Sequence, residues 1–149
     1  MKFFKKSTNQ KIKSLIKLNK IALVLHLVQG ILMVWLVQAI GVDASYPVTA
    51  NYLSFNPATE SLQPASTVLF NINFAWLVAS FLFMSAIAHL IIVTVYKKTY
   101  EKDLEKGINK ARWIEYSISA STMMVAIALL SGMQDLASLI MIFALVAGM

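Results

Sequence analysis

The chain has 149 residues, of which 58% are hydrophobic and 13% are charged, with a mean hydropathy of +0.69. Soluble domains carry about a quarter charged residues, so this composition argues against a water-soluble enzyme and indicates a membrane protein. The absence of cysteine excludes disulfides and Cys-ligated metals, and two histidines predict no metal centre. We therefore interpret the net charge of +6 as membrane topology and expect no nucleic-acid partner.

The first apolar run covers residues 21–40, which is long enough to cross a lipid bilayer. Before it, residues 2–20 carry seven lysines and no acid, with apolar residues spaced as in a helix at the membrane interface. After it, residues 41–67 hold two acids and three prolines but no Lys or Arg. The stretch YPVTANYLSF within this loop predicts a short β-hairpin with its turn at Ala50 and Asn51.

Three more apolar runs follow along the chain. The second covers residues 68–96 and is longer than a bilayer requires, so we expect its helix to tilt or project. A charged loop at 97–112 leads to the third span at 113–132, and residues 132–135 predict a tight turn. The fourth run, 136–149, would reach only about 21 Å as a helix. We expect this last span to be incomplete and the chain to be a fragment of a longer protein.

The basic residues predict how the chain is oriented. Lysine and arginine flank the start of the first span and occur in 97–112, whereas 41–67 and 134–135 have none. Because basic loops stay on the cytoplasmic side, we expect a multi-pass protein of the cell membrane with a cytoplasmic N-terminus and an extracellular loop at 41–67.

Three ionisable residues lie within or next to the apolar spans: His26, His89 and Glu115. Counted from the charged flanks, the two histidines lie about 9 and 12 Å deep, in the cytoplasmic half of the membrane. An ionisable group at this depth usually faces the bundle interior and has a partner. Two histidines at similar depth, with a carboxylate on the next span, favour a proton relay or counterion cluster.

Helical spacing adds polar side chains to these three. Ser85 lies one turn from His89, Gln29 lies one turn from His26, and Glu115 shares a helix face with Ser119 and Thr122. Hydroxyl and amide groups in membrane spans hold neighbouring helices together about as often as they serve a functional site. Both interpretations, helix packing and a functional cluster, remain open here. No nucleophile elbow, phosphate-binding loop or metalloprotease motif occurs, so we predict no catalytic residue and no enzymatic activity.

The segment ARWIEYSISASTMM, residues 111–124, follows a β-prone first outer loop and a histidine on each of the first two spans. This combination resembles helices one to four of the heliorhodopsins, a retinal-binding family with inverted membrane topology. The resemblance implies an all-α seven-helix rhodopsin-type bundle, all-trans retinal on a lysine of the seventh helix, and light sensing without ion pumping. It also implies a homodimer that uses the hairpin and helices one and four, and an unknown regulatory partner.

The resemblance also implies roles for individual residues. Glu115 matches the counterion of the protonated Schiff base, and the histidines match a cytoplasmic proton-accepting cluster. The implied set comprises Glu115 as counterion, Ser85 and Ser119 as its support, His26, His89 and Gln29 as the proton-accepting cluster, and Tyr116, Thr122 and Met123 in the retinal pocket. Every lysine lies in 2–20 or 97–110, so the attachment lysine is absent from this sequence.

Two other hypotheses stay open beside a light-sensing retinal protein. The chain could be a helical-bundle scaffold or subunit of the membrane, in which the polar stripe only packs helices together. A proton- or ion-conducting subunit is the third interpretation.

Overall fold

The computed structural model describes residues 2–41 and 44–149, with side chains described from residue 10 onward within those ranges. The described residues form five helices and one antiparallel two-stranded sheet. In chain order these are α1 (Lys2–Ile40), β1 (Ser45–Asn56), β2 (Ser61–Asn73), α2 (Phe74–Val93), α3 (Lys97–Glu105), α4 (Lys110–Leu130) and α5 (Leu136–Ala147). Within α1, α2 and α4, three segments are long and apolar enough to cross a membrane. The predicted helical membrane fold with a β-hairpin is therefore confirmed.

Helix α1 continues without a break from the lysine-rich flank into the apolar span. It packs along α2, and the buried Gly30 lies against the Phe83 ring of that helix. A Cβ at Gly30 would lie 2.8 Å from Cε1 of Phe83, well inside van der Waals contact. The lack of a side chain at this position therefore allows the two helices to pack closely, as small residues do in membrane bundles.

Helix α2 begins at Phe74, six residues later than the apolar run predicted. Residues 68–73 belong to strand β2, and the Asn73 side chain caps α2 by accepting the backbone N–H groups of Ala75 and Trp76. A run of apolar residues does not distinguish a strand from a helix, so hydropathy placed the boundary wrongly. At 20 residues, α2 is no longer than a bilayer requires, and the expected excess length is absent.

The β-hairpin is longer than predicted and its turn lies elsewhere. Ala50 and Asn51 lie inside β1, where they pair with residues of β2, so the predicted turn is wrong. The strands instead join through residues 57–60. The Asn56 side chain accepts the backbone N–H of Ala58 at 3.0 Å, and the intervening proline restricts the backbone to a turn conformation.

The hairpin packs onto the turn between α4 and α5, which we call the hairpin end of the bundle. The predicted turn at 132–135 is present, with Gly132 at φ +86°. Thr49 donates its backbone N–H to the Gln134 carbonyl at 2.8 Å. Val48, with no exposed surface, anchors a core that also contains Ala128, Leu129 and Leu139.

The opposite end, called the charged end, consists of the start of α1, helix α3 and the start of α4. The segment 97–112 was expected to be a solvated loop, but nine of its residues form α3. Tyr100 of α3 points inward and is 4% exposed. Tyr96, just before α3, donates to the Asp103 carboxylate at 3.0 Å, and this hydrogen bond raises the pKa of Tyr96 above its ordinary value.

Candidate functional site

A polar cleft of about 480 Å³ opens between α1, α2, α3 and α4 at the charged end. It holds both histidines and Glu115, the three ionisable residues that the sequence places within or next to the spans. Its polar lining consists of Asn19, His26, Ser85, His89, Tyr100, Asn109, Arg112, Glu115, Tyr116 and Ser119. The residues lie on four helices or at their ends and are spread from Asn19 to Ser119, so packing of the bundle assembles the cleft.

Glu115 of α4 is the acidic group of the cleft. Its Oε1 accepts hydrogen bonds from the Ser85 hydroxyl at 2.6 Å and from the Ser119 hydroxyl at 2.9 Å. Ser119 lies one turn further along α4, and Ser85 reaches across from α2, so the predicted hydroxyl neighbours of the carboxylate are both present. Among the described side chains, Glu115 forms no ion pair. A half-buried carboxylate without a cation is costly in an apolar medium, and the two hydroxyls offset only part of that cost.

His26 of α1 and His89 of α2 lie face to face in the same cleft. Their rings are stacked with centroids 5.7 Å apart and an interplanar angle of 2°. Nδ1 of His26 is buried and has no hydrogen-bond partner among the described residues. Nδ1 of His89 lies 2.7 Å from Oδ1 of Asn19. The sequence-based expectation that these two histidines lie at similar depth on neighbouring helices therefore agrees with the geometry.

Asn19 and Tyr100 belong to the cleft, but sequence reasoning did not identify them. Asn19 has a partial signal, because it continues the series Ile12 and Ile16 at helical spacing and all three side chains are buried. A polar residue in an apolar stripe is a reason to look for a partner. Tyr100 has no comparable signal, since it lies in a segment dominated by charges whose helical fold was not expected.

The remaining predicted site residues are placed in different environments. Tyr116 and Met123 line the polar cleft. The Thr122 hydroxyl donates to the Ile118 carbonyl at 2.9 Å, within its own helix, and Thr122 is not part of the cleft lining. Gln29 is exposed and also lies outside the cleft lining, so the structure does not bring it to the histidine pair.

Arg112 lies at the mouth of the cleft. Its guanidinium carbon is 5.4 Å from the centroid of the Tyr116 ring, which is within the range of a cation–π interaction. The side chain is exposed. It therefore adds positive potential at the entrance of the cleft without neutralising Glu115 by direct contact.

Comparison with known proteins assigns the family. No curated protein matches the chain. The model of the heliorhodopsin family matches residues 15–149, a region that runs from the middle of α1 to the end of the chain and includes every residue that lines the polar cleft. The chain therefore belongs to the heliorhodopsin family and is a rhodopsin-like membrane protein.

Proposed function

We propose that the chain belongs to a retinal-binding, light-sensing membrane protein that neither pumps ions nor acts as an enzyme. One observation carries the proposal. The carboxylate of Glu115 is fixed by two hydroxyl groups within an apolar span, and it forms no ion pair among the described side chains. An acid held in this way suits a cationic ligand group, because a nearby positive charge stabilises the carboxylate form.

All-trans retinal fits this requirement. When bound, it supplies visible absorption and a protonated, positively charged linkage to a lysine. Glu115 is the counterion of that charge in our proposal, while Ser85 and Ser119 orient its Oε1, and Tyr116 and Met123 contribute to the pocket. All lysines of this sequence lie in segments at the charged end, so the proposal puts the attachment lysine outside these 149 residues.

The histidine pair is proposed to accept the proton that leaves the cation site after illumination. The two rings are stacked with their centroids 5.7 Å apart, and Nδ1 of His26 is buried without a hydrogen-bond partner among the described residues. With Glu115 in the same cleft, the proton remains close to its origin, which suits a sensor better than a pump.

Orientation and assembly complete the proposal. The lipid bilayer surrounds α1, α2 and α4, and we propose a cell membrane with the charged end on the cytoplasmic side, following the positive-inside rule. Exposed apolar side chains on the hairpin, among them Leu53, Phe55 and Leu62, favour a homodimer. Cross-linking through the hairpin tests the homodimer, and protease access from outside the cell tests the orientation. In this proposal, an unknown regulatory partner receives the signal.

The test is reconstitution with the chromophore. The longest natural reading frame that contains these residues is expressed in membranes, and all-trans retinal is added. We expect a visible absorption band that Glu115→Gln shifts to longer wavelength, because loss of the negative counterion lowers the excitation energy. Glu105→Gln makes the same chemical change at an exposed position of α3 and should leave the band unchanged.

Three outcomes would contradict the proposal. No visible band in the wild-type protein would favour the scaffold hypothesis, in which Glu115→Gln and His26→Ala reduce only the assembly of the bundle. A band that responds equally to Glu115→Gln and Glu105→Gln would leave retinal bound but remove the counterion role of Glu115. Proton flux in liposomes that depends on His89 would instead favour a conducting subunit.

A further inference from the structure

Asn19 connects three helices at the inner wall of the polar cleft. Its Nδ2 lies 2.9 Å from the Leu15 carbonyl oxygen on α1 and 3.3 Å from the Tyr100 hydroxyl on α3. Its Oδ1 lies 2.7 Å from Nδ1 of His89 on α2. Asn19 is 9% exposed and Tyr100 is 4% exposed, so bulk water competes little for these contacts.

The chemistry of these partners determines the orientation of the amide. The Leu15 carbonyl only accepts hydrogen bonds, so the amide atom that faces it must be the NH₂ group. One N–H of Asn19 thus binds Leu15, and the second is directed to the Tyr100 hydroxyl, which accepts it. Rotating the amide by 180° would set its oxygen against the carbonyl oxygen. Oδ1 of Asn19 is consequently the atom that faces His89.

This orientation in turn decides which nitrogen of His89 carries the proton. Oδ1 has no hydrogen to donate, so the 2.7 Å contact is a hydrogen bond only if Nδ1 of His89 is protonated. In a neutral imidazole, one nitrogen donates and the other accepts. We infer that Asn19 is a positioning residue that holds neutral His89 as the Nδ1–H tautomer and leaves Nε2 as its proton-accepting atom.

The consequence for proton uptake rests on the proposed function, but the tautomer itself does not. The groups that act electrostatically on His89 are Glu115, His26 and Arg112. They influence whether the ring is charged, whereas Asn19 determines where the added proton goes. With Nδ1 already occupied, a proton released in the cleft binds His89 at Nε2. Asn19 also orients the ring plane, because its hydrogen bond fixes one edge of the imidazole.

The experiment is nitrogen-15 solid-state NMR of the histidine-labelled protein in lipid, without added retinal. It is run at about pH 8.5, well above the ordinary histidine pKa of about 6.5, so that the imidazole rings are neutral. The sequence has two histidines, so His26→Phe leaves the His89 signals alone in the spectrum. We expect Nδ1 of His89 to show a pyrrole-type shift and Nε2 a pyridine-type shift, in the wild-type protein as in this variant.

Two variants separate positioning from general packing. Asn19→Leu removes the acceptor at nearly constant size and should produce signals from both tautomers of His89. Tyr100→Phe removes one contact of Nδ2 but leaves the Leu15 carbonyl to hold the amide, so its spectrum should match the wild type. A pyridine-type Nδ1 in the wild type would overturn the inference, and so would an Asn19→Leu spectrum identical to it.

The wild-type and His26→Phe spectra together identify the tautomer of His89 even if Asn19→Leu fails to fold. The result is also separable from the retinal test. An Nδ1–H tautomer in a protein that never forms a visible band would contradict the proposed function and leave the role of Asn19 intact. A visible band together with a pyridine-type Nδ1 would support the proposed function and contradict the role of Asn19.

Discussion

Burial of Val48 should hold the β-hairpin onto the helical bundle. Val48 has no exposed surface and packs against Leu129, which is also fully buried, and Leu139, which is 4% exposed. The Val48→Ala substitution removes two carbon atoms, worth about 0.8 kcal/mol each by transfer. The cavity that remains adds to this loss, so we expect docking to weaken by about 2 kcal/mol.

Hydrogen exchange at Thr49 measures this loss directly. Its backbone N–H donates to the Gln134 carbonyl in the turn after α4, so the amide is protected only while the hairpin is docked. A change of about 2 kcal/mol corresponds to roughly 30-fold faster exchange. The measurement is made by mass spectrometry on the detergent-solubilised or nanodisc-embedded protein, under conditions where the exchange rate reports the free energy of opening.

Val68→Ala is the matched control for this experiment. Val68 is the residue of β2 that pairs with Thr49, and its side chain is 56% exposed. The substitution has the same chemistry and the same loss of β-propensity, without a buried cavity, and should change exchange at Thr49 by less than about threefold. Equal acceleration by Val48→Ala and Val68→Ala would refute the argument that burial of Val48 docks the hairpin.

Two further predictions concern the α4–α5 turn and the α1–α2 contact. The backbone N–H and hydroxyl of Ser138 donate to Asp135 at 2.9 and 3.0 Å and hold the pKa of that carboxyl below its ordinary value of 3.8. The Asp135 carboxylate therefore stabilises the α5 N-terminus above pH 3.8, and this stabilisation is lost as the pH falls through the lowered pKa. The hydrogen-exchange protection factor of Ser138 should fall over the same pH range. In Asp135→Asn, the protection factor should not change over that range. At the helix contact, Gly30→Ala should destabilise the bundle by about 1–3 kcal/mol in denaturant titrations, because the new methyl group meets the Phe83 ring. In the Phe83→Ala background, Gly30→Ala should cost less, and strictly additive effects of the two substitutions would show that the two residues do not meet.

The hydrophobic pattern predicted the class of the protein but misplaced two boundaries. Residues 68–73 are as apolar as a membrane helix and nevertheless form the end of β2, because they pair with residues of β1 that are distant in sequence. The turn at 57–60 was missed although Asn56 and the proline after it are ordinary turn residues. The predicted turn at Ala50 and Asn51 is wrong because the partner of this strand, β2, lies outside the β-prone stretch from which the hairpin was predicted.

The candidate site was predicted in part. Helical spacing predicted Ser119 beside Glu115, the family resemblance implied Ser85 beside it, and both hydroxyls donate to the carboxylate. Spacing within a single helix also suggested Gln29 beside His26, yet Gln29 is exposed. One helix turn brings two side chains to similar directions, but the rotation of the whole helix against its neighbours decides which of them faces inward.

Hydropathy, charge and spacing along the chain predicted the membrane class, the apolar spans, the charged ends, and a carboxylate with a hydroxyl neighbour one turn away. These are local properties, because hydropathy, charge and helical spacing each depend on residues close together in the chain. The packing of the elements was needed to show that Asn19 of α1 contacts both Tyr100 of α3 and His89 of α2, and that Val48 closes the opposite end. Asn19 and Tyr100 are 81 positions apart in the chain, and the packing of one helix against another brings them together.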